Sequence, residues 1–104
     1  MNYSVEVAER FEKEFKELDK YTQKIIKAWI EKNLSNTENP RIFGKGLSAD
    51  KAGLWQYRIG DYRLICEIID EKLVILALTA GHRKDIYKLL HPHFFETIIK
   101  NINL

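Results

Sequence analysis

Hydrophobic residues recur along this chain with two periods, and each change of period marks a boundary between elements. Tyr3, Val5 and Val7 alternate with polar positions, which predicts a first strand over residues 2–7. The spacing then widens. Ala8, Phe11, Phe15 and Leu18 fall three or four apart, as in an amphipathic helix with a Glu/Lys-rich outer face. Asp19 is placed to cap a second helix, predicted to bury Thr22, Ile25, Ile26 and Trp29 and to end near Leu34. So short a joint makes the two helices an antiparallel hairpin.

Ser35 to Gly53 is a loop by composition, longer than most internal connections, and loops of this kind tend to be functional or mobile. From Gly53 to Tyr87 the chain reads as an antiparallel meander of three strands. Trp55, Tyr57 and Ile59 share one face of the first strand, and Gln56 and Arg58 share the other. In the second strand Tyr62, Leu64, Cys66 and Ile68 oppose Arg63, Ile65, Glu67 and Ile69. Gly60-Asp61 suits a two-residue hairpin with a positive φ at the glycine, and Asp70-Glu71 separates the next pair. Residues 73–80 are apolar almost throughout, as in a strand covered on both faces. Lys84 to Leu90 suggests a helical turn. Pro92 suits the start of a last helix, with Phe94, Phe95, Ile98, Ile99 and Ile102 on its apolar side. The expected architecture is β-α-α-β-β-β-α: a two-layer α+β domain spanning 1–104, its antiparallel sheet packed against the N-terminal helical hairpin.

Composition narrows the chemistry. A net charge of +2, from 17 basic and 15 acidic residues, means that any basic site must come from local clustering. Lys13, Lys16, Lys20, Lys24 and Lys27 alternate with acids, so pairing at i,i+4 on a solvated face is expected of them. The single cysteine, Cys66, lies mid-strand on the apolar face and reads as a core residue in a reducing compartment. No segment is long and apolar enough to be a signal region or membrane span, and a cytoplasmic location is expected. Gly44-Lys45-Gly46 lacks the spacing of a phosphate-binding loop. His91 and His93 flank a proline with no third ligand near them in sequence, so no metal site and no cofactor are expected.

What remains is a set of cations around the meander. Arg58 and Arg63 flank the hairpin and Arg83 follows the third strand, so three guanidinium groups are expected to converge near one face, with Lys45 joining from the loop. A planar guanidinium matches phosphate oxygens bidentately and never deprotonates, which suits it to the charge of a phosphorane. The alternative for each arginine is an ion pair with Glu67, Asp61 or Asp85. An imidazole suits proton transfer near neutral pH, so His82 is either a candidate proton carrier or a polar residue ending a strand. Tyr87 suits hydrogen bonding or stacking on a nucleobase.

Gly53-Leu54-Trp55, Tyr57-Arg58, Gly60-Asp61-Tyr62-Arg63 and Gly81-His82-Arg83-Lys84-Asp85-Ile86-Tyr87 resemble, in order and spacing, the RelE-type toxins of the RelE/ParE toxin–antitoxin superfamily. Asn39-Pro40-Arg41 and Gly44-Lys45, followed by Leu47, fit the same pattern. The resemblance implies a metal-independent endoribonuclease that cuts messenger RNA in the ribosomal A site. Its implied catalytic set is Arg58, Arg63, His82, Arg83 and Tyr87, with Lys45, Gln56 and Lys84 contacting RNA. Many relatives carry Lys or Arg where Gln56 stands, which leaves His82 as the expected proton carrier. The implied partners are a RelB-like antitoxin, the ribosome with its message, and operator DNA bound by the toxin–antitoxin complex. The other reading within the superfamily is a ParE-like inhibitor of DNA gyrase that performs no chemistry.

Overall fold

The two hydrophobic periods become two layers. The computed structural model describes residues 1–47 and 54–82. In chain order these form β1 (Ser4–Val7), α1 (Glu9–Glu17), α2 (Lys20–Asn33), β2 (Lys45–Gly46), β3 (Leu54–Ile59), β4 (Tyr62–Ile69) and β5 (Val74–His82). The segments expected as a helical turn and a last helix, from Lys84 onward, lie outside the described residues. Asp19 caps α2 as expected, its carboxylate accepting from the Thr22 amide at 3.2 Å. Gly60 takes φ 59° at the β3–β4 turn, which closes between Ile59 and Tyr62.

The sheet has five strands in the order β1-β5-β4-β3-β2. It is mixed rather than wholly antiparallel, because β1 lies parallel to β5, with Val5 opposite Ile75. Hydrophobic alternation predicts a strand's faces but not its neighbour, and β1 pairs with a strand some seventy residues further on. On the helix side, Phe11, Ile26 and Leu34 pack with Tyr57, Ile59, Leu64, Cys66, Ile75, Ala77 and Ala80. Cys66 is fully buried, and burial pushes its thiol well above the ordinary range, so it is the core residue expected. On the other side a smaller cluster gathers Leu54, Ile65, Leu76 and Leu78.

Three further expectations change. Ile25 is 42% exposed, whereas Ile30 joins the core. Thr22, Ile26 and Ile30 form the buried line at four-residue spacing, and Ile25 falls outside it. Lys13 pairs with Glu9 at 3.4 Å, but no ion pair forms at Lys16, Lys20, Lys24 or Lys27 among the described residues. The loop expected over Ser35 to Gly53, and expected to be functional or mobile, is fastened at several points in its described part. Tyr3 exchanges backbone hydrogen bonds with Asn36 and Thr37, and the stretch ends in β2 beside β3. Gly44 makes that approach possible. Its φ is 77°, and a Cβ there would stand 2.2 Å from the Gln56 carbonyl oxygen.

Candidate functional site

The β3–β4 hairpin builds the site by alternation. Residues directly opposite in an antiparallel pair share a face, and Arg58 stands directly opposite Arg63. Gln56 opposes Ile65 on that same face, and Lys45 of β2 is the partner of Gln56. Two guanidinium groups, an amide and an ammonium therefore occupy one end of the sheet surface turned away from the helices. Lys45 and Arg58 are exposed, while Gln56 and Arg63 are half-buried.

Like charges set directly across two strands repel each other, so such a pair ordinarily brings a carboxylate with it. None is present among the described residues. Within the described residues Arg58 has no ion pair, and Arg63 makes only a 3.4 Å contact to the Tyr62 carbonyl oxygen. Asp61 and Glu67 are paired with neither arginine. Glu67 lies in the row of Leu54 and Leu76, where burial raises its carboxyl above the usual range. Guanidinium groups without a carboxylate beside them can bind an anion, and their fork geometry matches phosphate.

His82 goes elsewhere. A bulge in β5 shifts the register between Ile65 and Cys66: Cys66 faces Ala77, but Ile65 faces Thr79. Beyond it Arg63 faces Gly81, and His82 faces Tyr62. Tyr62 packs on the helix-side core, and the His82 ring meets it edge-on at 5.5 Å. His82 thus occupies the face opposite Arg58 and Arg63, a placement that fits a strand-ending scaffold residue. Arg83, Lys84, Asp85 and Tyr87 lie outside the described residues.

One arrangement was not legible as a site part. Arg41 grips Asp70 through two hydrogen bonds, at 3.1 and 2.9 Å, and its guanidinium lies 5.8 Å from the Trp55 ring centre. The Tyr3 hydroxyl donates to the same carboxylate at 2.6 Å. Arg41 and then Tyr3 hold Asp70 below the usual carboxylate range, and the same contact raises Tyr3. The only hint in the sequence was Asn39-Pro40-Arg41, which carried no assigned role.

Residues 5–87 match the family described as the ParE toxin of the type II toxin–antitoxin system, parDE. Toxin RelG of Mycobacterium tuberculosis is 34% identical over 74 residues, covering 70% of this chain and 85% of that protein. This chain belongs to the RelE/ParE superfamily as a RelE-type toxin. The solved RelBE2 toxin–antitoxin complex of M. tuberculosis contains a similar chain, with a TM-score of 0.71 and 27% identity over 82% of this toxin and 95% of that chain. A mutant E. coli toxin RelE in the free state shares the fold at a TM-score of 0.71 and 24% identity, covering 98% and 99% of the two chains. The toxin is therefore the toxin component of a type II toxin–antitoxin system.

Proposed function

We propose that this toxin is a ribosome-dependent endoribonuclease acting on messenger RNA in the A site. The observation that carries the reading is the cross-strand pair Arg58–Arg63, without a described carboxylate and with Lys45 and Gln56 alongside. In the reaction the RNA 2′-oxygen bonds to the adjacent phosphorus as the bond to the 5′-oxygen breaks, leaving a 2′,3′-cyclic phosphate and a 5′-hydroxyl. A base takes the 2′ proton and an acid supplies one to the leaving oxygen. Arg58 and Arg63 bind the non-bridging oxygens and stabilise the extra charge of the phosphorane. Lys45 fixes the neighbouring backbone, and Gln56 orients the ribose through hydrogen bonds. Arg83, Tyr87 and Lys84 complete the set by resemblance. The ribosome supplies substrate alignment, so a weakly charged domain manages with few groups. Acting there places the toxin in the cytoplasm.

A RelB-like antitoxin holds it inactive in this reading. Support comes from the toxin–antitoxin complex of the M. tuberculosis relative and from a groove of about 420 Å³ beside β1, lined by Val5, Val7, Phe11, Phe15 and Ile30. Strand β1 is an edge of the sheet, and an antitoxin strand and helix fit such an edge and groove. The complex in turn binds operator DNA.

The deciding experiment adds purified toxin to translating ribosomes and maps the 5′ ends of the message. Discrete cuts within the A-site codon are expected. Intact message together with inhibited DNA supercoiling would establish a gyrase inhibitor instead.

A further inference from the structure

We propose that the Arg41–Asp70 pair is a positioning clamp for Lys45, with Arg41 the positioning residue that sets the second cationic edge of the site. Between Thr37 and Gly44 nearly every residue is held by something outside its own peptide unit. The Thr37 hydroxyl accepts from the Asn39 amide at 3.2 Å, and the Asn39 side-chain oxygen accepts from the Arg41 amide at 2.9 Å, a local turn that aims Arg41 away from the loop. The Pro40 carbonyl oxygen accepts from the buried Tyr57 hydroxyl. The Phe43 carbonyl oxygen accepts from the Trp55 indole at 2.7 Å, and the Phe43 ring packs edge-on against Trp29 at 6.0 Å. Each of these ties runs to the loop itself or to the core side of the molecule.

Arg41 alone reaches across to the far end of β4, where Asp70 opens the turn into β5. Its planar fork takes both carboxylate oxygens while the same guanidinium lies over Trp55, the residue paired with Gly46 of β2. Tyr3 fixes the carboxylate from the third side. The clamp thus closes a ring of contacts through Tyr3 at the start of β1, the loop, β3 and the β4–β5 turn, and Lys45 follows Gly44 opposite Gln56. The backbone of Lys45 is held by its pairing with Gln56 and by the ties at Pro40 and Phe43, and the Arg41–Asp70 pair adds the one that reaches the β4–β5 turn. The distance of Lys45 from Arg58 therefore depends on what fixes residues 40–44.

The kinetic part of this inference rests on the nuclease reading, and its structural part does not. The test compares wild type, Arg41→Met, Asp70→Asn, Lys45→Ala and the Arg41→Met/Lys45→Ala double variant. Single-turnover cleavage of A-site message is measured beside amide hydrogen exchange of the full chain. Misplacing a substrate-contacting group by about 1 Å costs on the order of 10–100-fold in rate, so Arg41→Met and Asp70→Asn should each lose that much. In the Lys45→Ala background Arg41→Met should cost almost nothing more. Exchange at the Leu47 amide, which bonds the Leu54 carbonyl oxygen at 3.2 Å, should accelerate while β4–β5 amides stay protected. Rate losses that multiply in the double variant would overturn the clamp, because they would show that Arg41 acts independently of Lys45. Unchanged Leu47 exchange would overturn it as well. If wild type itself fails to cut message, the nuclease reading falls, and the exchange result alone then decides whether Arg41 positions β2.

Discussion

The two faces of β3 and β4 lie on one backbone and differ in almost every other respect. Toward the helices, Tyr57, Ile59, Leu64 and Cys66 are buried against Phe11, Ile26 and Leu34. On the reverse, at the hairpin end, Arg58 and Arg63 face each other with no described carboxylate between them. Because side chains alternate, the rigidity of the first face is handed directly to the second. Tyr57, Ile59 and Leu64, the buried sequence neighbours of the two arginines, fix the backbone from which both guanidinium groups extend. The toxin makes its core and its candidate site from alternate residues of the same two strands.

If this division holds, substitutions on one face should change stability and those on the other should change rate. Tyr57→Ala should be the most damaging. It empties a fully buried position beneath Trp29 and removes the hydrogen bond to the Pro40 carbonyl, costing about 3–5 kcal/mol in chemical denaturation. A smaller loss, with the unfolding transition intact, would mean that the helix-side layer repacks freely.

Arg58→Ala and Arg63→Ala should do the reverse. Each should slow single-turnover cleavage by about 10²–10³, or roughly 3–4 kcal/mol of transition-state energy. Stability should change by no more than about 1 kcal/mol, as is usual for surface charges. Ribosome binding should survive in both. Equal rates for wild type and variants would remove the cationic pair from the site.

His82→Gln sharpens the boundary between the faces. Loss of its edge-on contact with Tyr62 should lower stability by about 0.5–1.5 kcal/mol. The cleavage rate should fall by less than about 10-fold, since His82 stands on the core face. A loss of about 10²-fold or more with stability retained would make His82 the proton carrier instead.

The clamp should affect stability only slightly. Asp70 titrates lower in the fold than in the unfolded chain, first through Arg41 and then through Tyr3. Its contribution is therefore fully present above the ordinary carboxylate pKa, about 4, and fades as pH falls through the folded value. Asp70→Asn should lower stability at neutral pH by at most about 1 kcal/mol and flatten this acid limb, read from unfolding midpoints between pH 2 and pH 6. A limb of unchanged shape would assign it to other carboxylates.

Much of this was legible in the sequence because it is local. Period-2 alternation sorted Trp55, Tyr57 and Ile59 from Gln56 and Arg58, glycine marked the hairpin, and Asp19 marked the start of α2. Those features depend on residues within a few positions of one another, where backbone geometry leaves few choices. The placement of Lys45 beside Gln56, the parallel pairing of β1 with β5, and the meeting of Tyr3, Arg41 and Asp70 all depend on contacts between distant segments. No periodicity encodes such contacts. The bulge in β5 gives the clearest case. Counting by twos from Leu76 would set His82 on the arginine face, but one extra residue between Ala77 and Thr79 reverses every side chain that follows. Only the tertiary pairing of β4 with β5 fixes where that residue is absorbed, and so decides which face His82 joins.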